Sequence, residues 1–302
     1  MRITRWAAAL AAATALLAAT AASAGAALPV VYNFPAAIAA SALQPGGSPP
    51  GANDPSCRPS AAHPRPVVLV NGTFANQIDS WNAFSPLLKN HGYCVYTFNY
   101  GGLFLGQIGA TGPVADSAAE LKAEVDAVLA RTGAAKVDIV GWSQGGMMPR
   151  YYLENLGGAG KVGHLVGIAP SNHGTTLGGL ATLAGAFPGA LDLLAAGCPA
   201  CRDQVQGSPF LTALNAGGDT VPGVKYTVIQ SKYDEVVTPY TSAFLSSPDV
   251  TNITIQKQCV LDFGDHLSMT SDHIVGRDVL NALDPAHAQA PLCTPVLAGV
   301  GG

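Results

Sequence analysis

Five residues, Gly141-Trp142-Ser143-Gln144-Gly145, match the pattern G-x-S-x-G. The run Val137-Asp138-Ile139-Val140 before them reads as a buried strand, and Gly145 to Leu156 reads as a helix. That setting gives the pattern its chemistry. A serine on a sharp strand-to-helix turn presents its hydroxyl at the sheet edge, and flanking glycines let neighbouring backbone close in. The helix then points its first N–H groups at the oxyanion formed when the serine attacks a carbonyl. A chance match in a chain bearing Gly and Ser would not explain the strand before it and the helix after it.

A serine hydroxyl is a poor nucleophile until a base takes its proton. In sites of this geometry an acid and then a histidine follow the serine along the chain. Tyr226-Thr227-Val228-Ile229-Gln230 reads as a strand, and Asp234 stands just beyond it, with Glu235 as the immediate rival. Three histidines come later: His266, His273 and His287. His266 falls in the loop between the last strand and the last helix, where a base belongs. His273 falls in the first turn of that helix and is the second choice; His287 lies in the C-terminal coil. Asp262 and Asp265 are further acids, but neither stands just after the earlier strand. The oxyanion needs two donors. One is the backbone N–H of Gln144. The other is assigned to Thr73 in Asn71-Gly72-Thr73-Phe74, whose N–H and hydroxyl could both donate; its structural alternative is to cap that turn.

The elements that must position these groups alternate. Val67-Val68-Leu69-Val70 reads as a strand, Trp81 to Asn90 as a helix, and Cys94-Val95-Tyr96-Thr97-Phe98 as a strand. Val114 to Arg131 carries an apolar stripe at Val114, Ala118, Leu121, Val125, Val128 and Leu129, the spacing of a helix. Leu165 to Ile168, Val224 to Gln230 and Ile253 to Gln256 read as strands, and Thr270 to Leu283 as the final helix. Continuous apolar strands between helices imply an α/β fold with a mainly parallel sheet covered on both faces.

Composition narrows the function classes. The 302 residues carry 15 Lys+Arg and 19 Asp+Glu, a net charge of −4, and only 11% are charged. Mild acidity without basic clusters argues against nucleic acid as a partner. A hydrophobic fraction of 48% excludes general disorder. Met1-Arg2-Ile3-Thr4-Arg5, an apolar stretch from Trp6 to about Ala19, and Ala22-Ser23-Ala24 follow the plan of a secretory signal over residues 1–24. The apolar part is short for a membrane anchor. Residues 25–65, rich in Ala, Pro and Gly, read as an extended N-terminal arm; 66–293 read as the catalytic domain and 294–302 as a tail. Export makes the six cysteines, Cys57, Cys94, Cys198, Cys201, Cys259 and Cys293, legible as three disulfides, although six cysteines allow 15 pairings. Cys198-Pro199-Ala200-Cys201 reads as a small bridge closing a loop, since it stands at no strand-to-helix junction.

Asn71-Gly72-Thr73, Gly141-Trp142-Ser143-Gln144-Gly145-Gly146, Ala169-Pro170 with Gly174-Thr175, and Asp234-Glu235-Val236-Val237-Thr238-Pro239 together resemble the secreted actinobacterial lipases of class 2. Trp142 to Gly146, Asp265-His266 and Val275-Gly276-Arg277 are also similar to the fungal lipase B type. The resemblance covers roughly residues 57–293. It implies an α/β-hydrolase fold, a triad of Ser143, Asp234 and His266, and an oxyanion hole from Thr73 and Gln144. It also implies disulfides Cys57–Cys94 and Cys259–Cys293, leaving Cys198 with Cys201. The function expected is that of a secreted serine ester hydrolase, a triacylglycerol lipase that needs no cofactor or metal. It would meet an ester or lipid substrate, touch lipid surfaces transiently, and need no protein partner. The alternatives are a carboxylesterase for short or polymeric esters, an acyltransferase, and a binding module with a decayed site.

Residues 174–218 form the lid-like insertion. Leu177 to Gly197 is apolar, but Pro188, Asp192 and several glycines argue against a membrane span. A fixed pocket wall and a mobile lid fit it equally well. Other signals point nowhere further. Gly158-Ala159-Gly160-Lys161-Val162-Gly163 fits G-x-G-x-x-G but precedes a strand, so it reads as a turn and not a dinucleotide site. Asp265-His266 and Asp272-His273 match no zinc spacing. His173 lies close to the insertion, where surface or core roles are commoner than substrate contact. Asn71 and Asn252 begin glycosylation sequons; a sugar on Asn71 would crowd the oxyanion hole, so that site is expected to be unmodified.

Overall fold

A computed structural model describes residues 26–302. The signal segment expected over residues 1–24 lies outside the described residues. In chain order the elements are α1 (Phe34–Leu43), β1 (Val67–Val70), α2 (Gln77–Trp81), α3 (Phe84–Asn90), β2 (Val95–Thr97), β3 (Leu103–Phe104), β4 (Ile108–Gly109) and α4 (Val114–Thr132). Then come β5 (Val137–Trp142), α5 (Gln144–Asn155), β6 (Val162–Ile168), α6 (Leu177–Gly185), α7 (Ala190–Ala195), α8 (Pro199–Asp203), α9 (Pro209–Asn215), β7 (Lys225–Gln230), β8 (Val250–Thr254) and α10 (His273–Leu283).

Six strands form one sheet in the order β2-β1-β5-β6-β7-β8, and every pairing is parallel. β3 and β4 make a separate antiparallel pair. β1 and β5 are buried at every position, which is why Val67–Val70 is an unbroken apolar run. α4 buries Val114, Ala118, Leu121, Val125 and Val128, the stripe that its spacing predicts, and stops where Gly133 takes φ 70°. Parallel strands put all their C-terminal ends on one side of the sheet, so the loops after β1, β5, β7 and β8 meet there.

The structure corrects several expectations. Within the expected arm, the described residues 26–65 are not extended throughout. Asn33 caps α1 by accepting from the Ala36 N–H (2.8 Å), Pro35 occupies its first turn, and Phe34, Ala37 and Ser41 are buried. The expected helix over Trp81–Asn90 is two helices, and the first begins earlier because Asn76 and Asp79 form a capping box. The last strand is Val250–Thr254, upstream of the expected Ile253–Gln256; it is an edge strand with mixed burial, so its pattern is weak. The final helix starts at His273, where Asp272 accepts from the Ile274 N–H (2.7 Å). Residues 294–302 are no loose tail: Val296 is fully buried and bridges to Asp262.

The insertion is four short helices, with α6 and α7 separated at Pro188-Gly189. Among the described residues, no helix is long and apolar enough to cross a membrane. The structure joins Cys57 to Cys94, Cys198 to Cys201 and Cys259 to Cys293. Asn71 is buried and donates its amide to Ala75 O (2.9 Å), which leaves no room for a sugar.

Candidate active site

β5 runs straight into the turn, and Ser143 stands at φ 56°, ψ −122° before α5 begins at Gln144. A side-chain-bearing residue in such a region costs about 1–3 kcal/mol, which surrounding structure must impose. Two glycines make the turn possible. A Cβ on Gly141 would lie 1.8 Å from Gly145 O, and one on Gly145 would lie 2.1 Å from Val70 O. The turn is therefore pressed against both α5 and the end of β1.

The acid and the base arrive from the ends of β7 and β8. Asp234 Oδ2 accepts from His266 Nδ1 at 2.9 Å. Its other oxygen accepts from the N–H groups of Val236 (2.8 Å) and Val237 (2.7 Å), so the carboxylate cannot swing away. Trp142 Nε1 donates to His266 O (3.1 Å), and the two rings lie 5.4 Å apart, which ties the histidine loop beside the serine turn. His266 Nε2 is buried and makes no hydrogen bond. Burial pulls the His266 pKa down, but the charge and hydrogen bond of Asp234, with Glu235 and Asp265 behind it, more than offset this. The net direction is up from the ordinary 6.5.

The rival residues are placed elsewhere. Glu235 Oε2 accepts from the His266 backbone N–H (3.3 Å) and not from its ring. Asp265 Oδ1 accepts from the Ser268 N–H (2.9 Å), and Asp262 Oδ1 from the Gly264 N–H (2.7 Å); both shape the loop. His273 is turned to the C-terminal segment, with Nδ1 2.6 Å from Gly302 O and Nε2 2.9 Å from Thr294 Oγ1. His287 is exposed and paired with Asp284, and His173 is paired with Asp219.

Thr73 and Gln144 come together next to the serine turn, both fully buried. Gln144 is the first residue of α5, so its N–H has no carbonyl one turn below it in the helix. Among the described residues the Thr73 N–H meets no backbone acceptor. The Thr73 hydroxyl differs from the expectation. It neither caps the turn nor stands free; it donates to Gln144 Oε1 (2.8 Å) and accepts from Gln204 Nε2 (2.7 Å). Gln204 follows α8 in the insertion, and no motif in the sequence marks it.

Comparison with known proteins places the chain in a family. The family model for lipase (class 2) matches residues 64–275. The chain belongs to the class 2 lipases. It is 42% identical over 96 residues to a triacylglycerol lipase of Pseudarthrobacter phenanthrenivorans, which covers 30% of this chain and 28% of that one. It is 30% identical over 170 residues to lipase B of Pseudozyma antarctica, covering 52% of this chain and 46% of that one. The matched stretches thus span less than half the length of these relatives. Among solved structures, Aspergillus fumigatus lipase B superposes with a TM-score of 0.60 at 19% identity, over 83% of this chain and 62% of that one. Bacillus licheniformis lipase BlEst2 in its mature form superposes with a TM-score of 0.58 at 19% identity, over 78% and 99%. The fold is that of the α/β-hydrolases.

Proposed function

We propose that this class 2 lipase is a secreted serine ester hydrolase that acts on triacylglycerols through an acyl-enzyme on Ser143. The observation that carries the reading is His266. Its Nδ1 is held by Asp234, and its Nε2 is buried without a partner beside the strained Ser143 turn. In this reading Nε2 takes the Ser143 proton as Oγ attacks the ester carbonyl. The tetrahedral oxyanion is held by the N–H groups of Thr73 and Gln144. His266 returns the proton to the leaving alcohol, and the acyl group stays on Oγ. Water then attacks with His266 again as base, the acid departs, and the Oγ proton is restored. Asp234 fixes the imidazole tautomer and stabilises the imidazolium of each step.

Burial favours a moving cover over a fixed wall for residues 174–218. Ser143 is 2% exposed and His266 0%, which leaves an ester little room at the site unless the chain around it opens. Phe34 of α1 packs edge-on against both Trp142 and Phe187 of the insertion, with ring centroids 6.4 and 6.3 Å apart. A cavity of about 260 Å³ lies between α1 and the insertion, lined by Ile38, Ala42, Ile108, Phe187 and Pro188 with Asp79 and Gln107 at its polar side, a mostly apolar surface that could take an acyl chain. The three disulfides fit the export expected from residues 1–24.

The test is hydrolysis of p-nitrophenyl esters from acetate to palmitate, with Ser143→Ala as control. Each methylene entering an apolar site contributes about 0.8 kcal/mol, roughly fourfold. Rising kcat/KM through medium and long chains is expected. A peak at acetate or butyrate would make the protein a carboxylesterase, and equal activity in Ser143→Ala would overturn the reading.

A further inference from the structure

The Gln204 side chain is 1% exposed, and every polar atom of its amide is engaged. Ser171 Oγ donates to Gln204 Oε1 (2.9 Å), while Nε2 donates to Ala200 O (3.1 Å) and to Thr73 Oγ1 (2.7 Å). A backbone carbonyl can only accept, so the Ala200 contact fixes which end of the amide is nitrogen. Thr73 Oγ1 therefore always receives a hydrogen bond from Gln204, across 131 residues of chain. Its own proton has two destinations: Gln144 Oε1, or the space where the oxyanion forms.

Gln144 shows which destination the reaction uses. Its Nε2 is buried and has no partner. A buried orphan N–H is less well tolerated than a carbonyl with a vacant lone pair. A half-turn of this amide places Nε2 against Thr73 Oγ1 and relieves that orphan. The hydroxyl then accepts twice, from Gln144 and Gln204, and its proton is released as a third donor to the oxyanion.

We infer that Gln204 is a positioning residue for the oxyanion hole: with Gln144 it occupies both lone pairs of the Thr73 hydroxyl and aims the hydroxyl proton at the developing charge. The inference rests on the proposed hydrolase reading. Because Gln204 is the C-cap of the helix whose first turn the Cys198–Cys201 bridge closes, it joins the covering segment to the chemistry beneath. The cover is then complete only when the oxyanion hole is.

The test is a double-mutant cycle on p-nitrophenyl butyrate with Gln204→Leu and Thr73→Val. Gln204→Leu alone should lower kcat on the order of tenfold with KM changed less than about twofold, since a misdirected donor costs less than the 10²–10³ of a deleted one. In the Thr73→Val background Gln204→Leu should change kcat by less than about twofold. An equal loss in both backgrounds would show a purely structural role, and an unchanged kcat in the single variant would exclude the coupling; either overturns the inference. Should Gln204→Leu not fold, Ser171→Ala replaces it in the same cycle. It leaves the amide in place but unfastens Oε1, and should lower kcat in the same direction, again only when Thr73 is present. Failure of the parent reading is distinct: the unaltered protein would then hydrolyse no ester.

Discussion

The floor beneath Ser143 and the cover above it are built differently. In the floor, Gly141, Gly145 and the end of β1 approach so closely that no Cβ fits, and the Asp234 carboxylate is fastened at both oxygens. In the cover, four short helices carry exposed apolar side chains, with Leu177 at 65% and Leu191 at 54%, and a Cβ on Gly185 would meet nothing within 4 Å. A preorganised site needs the first kind of packing, and a segment that opens needs the second. The two meet where Gln204 donates to Thr73 and where Gly179 of α6 packs so tightly on Val236 O that a Cβ would lie 2.2 Å from it.

The largest expected effects lie in the floor. Ser143→Ala and His266→Ala should each lower kcat by about 10⁶-fold, and Asp234→Asn by about 10⁴, on p-nitrophenyl butyrate. His273→Ala should keep most activity, because that ring only holds the C-terminal segment; the reverse pattern would move the base to His273. Gly145→Ala should destabilise by more than about 3 kcal/mol in urea unfolding, since Val70 O and Asn71 O leave no space.

Crosslinks sharpen the comparison next. Cys57–Cys94 and Cys259–Cys293 close separations of 37 and 34 residues, whereas Cys198–Cys201 closes 3. On loop-closure entropy each long bridge contributes roughly 4 kcal/mol and the short one far less. Replacing Cys57 and Cys94 by Ser should therefore lower the urea midpoint strongly, and the same change at Cys198 and Cys201 only slightly.

The pH profile probes the base itself. His266 must be neutral to take the Ser143 proton, so kcat/KM should rise with pH through a midpoint above 6.5. Glu235→Gln removes one of the charges that favour the cation, so the limb should shift to lower pH. Stability has the opposite sign. A raised histidine pKa contributes stability fully below the unfolded value near 6.5, and that contribution is lost as pH rises through the folded value. The smallest effect belongs to the cover: Gly185→Ala should stabilise by about 0.4–1 kcal/mol, against the collapse expected at Gly145.

The floor was legible because its signals are local. Val67–Val70 and Val137–Trp142 are apolar runs of strand length, and the glycines around Ser143 mark the turn directly. Asp234 and His266 followed from their places after strands. The N-terminal segment and the cover were less legible. Asn33-Phe34-Pro35 carries the cap and the first turn of α1, yet the Pro and Gly of residues 45–51 made the whole arm read as extended. Gln204 has no local signature at all, since its meaning comes from Thr73 and Ser171, which only the fold brings near. The Thr73 hydroxyl could be named as a possible donor but not what orients it, because its two glutamine partners are invisible in the chain around it.

The most direct measurement is labelling with an alkyl p-nitrophenyl phosphonate, with p-nitrophenol release counted and the modified peptide mapped by mass. One equivalent released, the adduct on Ser143, complete loss of esterase activity, and no reaction in Ser143→Ala is the expected result. An adduct on another residue, or full activity after Ser143 is modified, would contradict the assignment of Ser143 as the nucleophile.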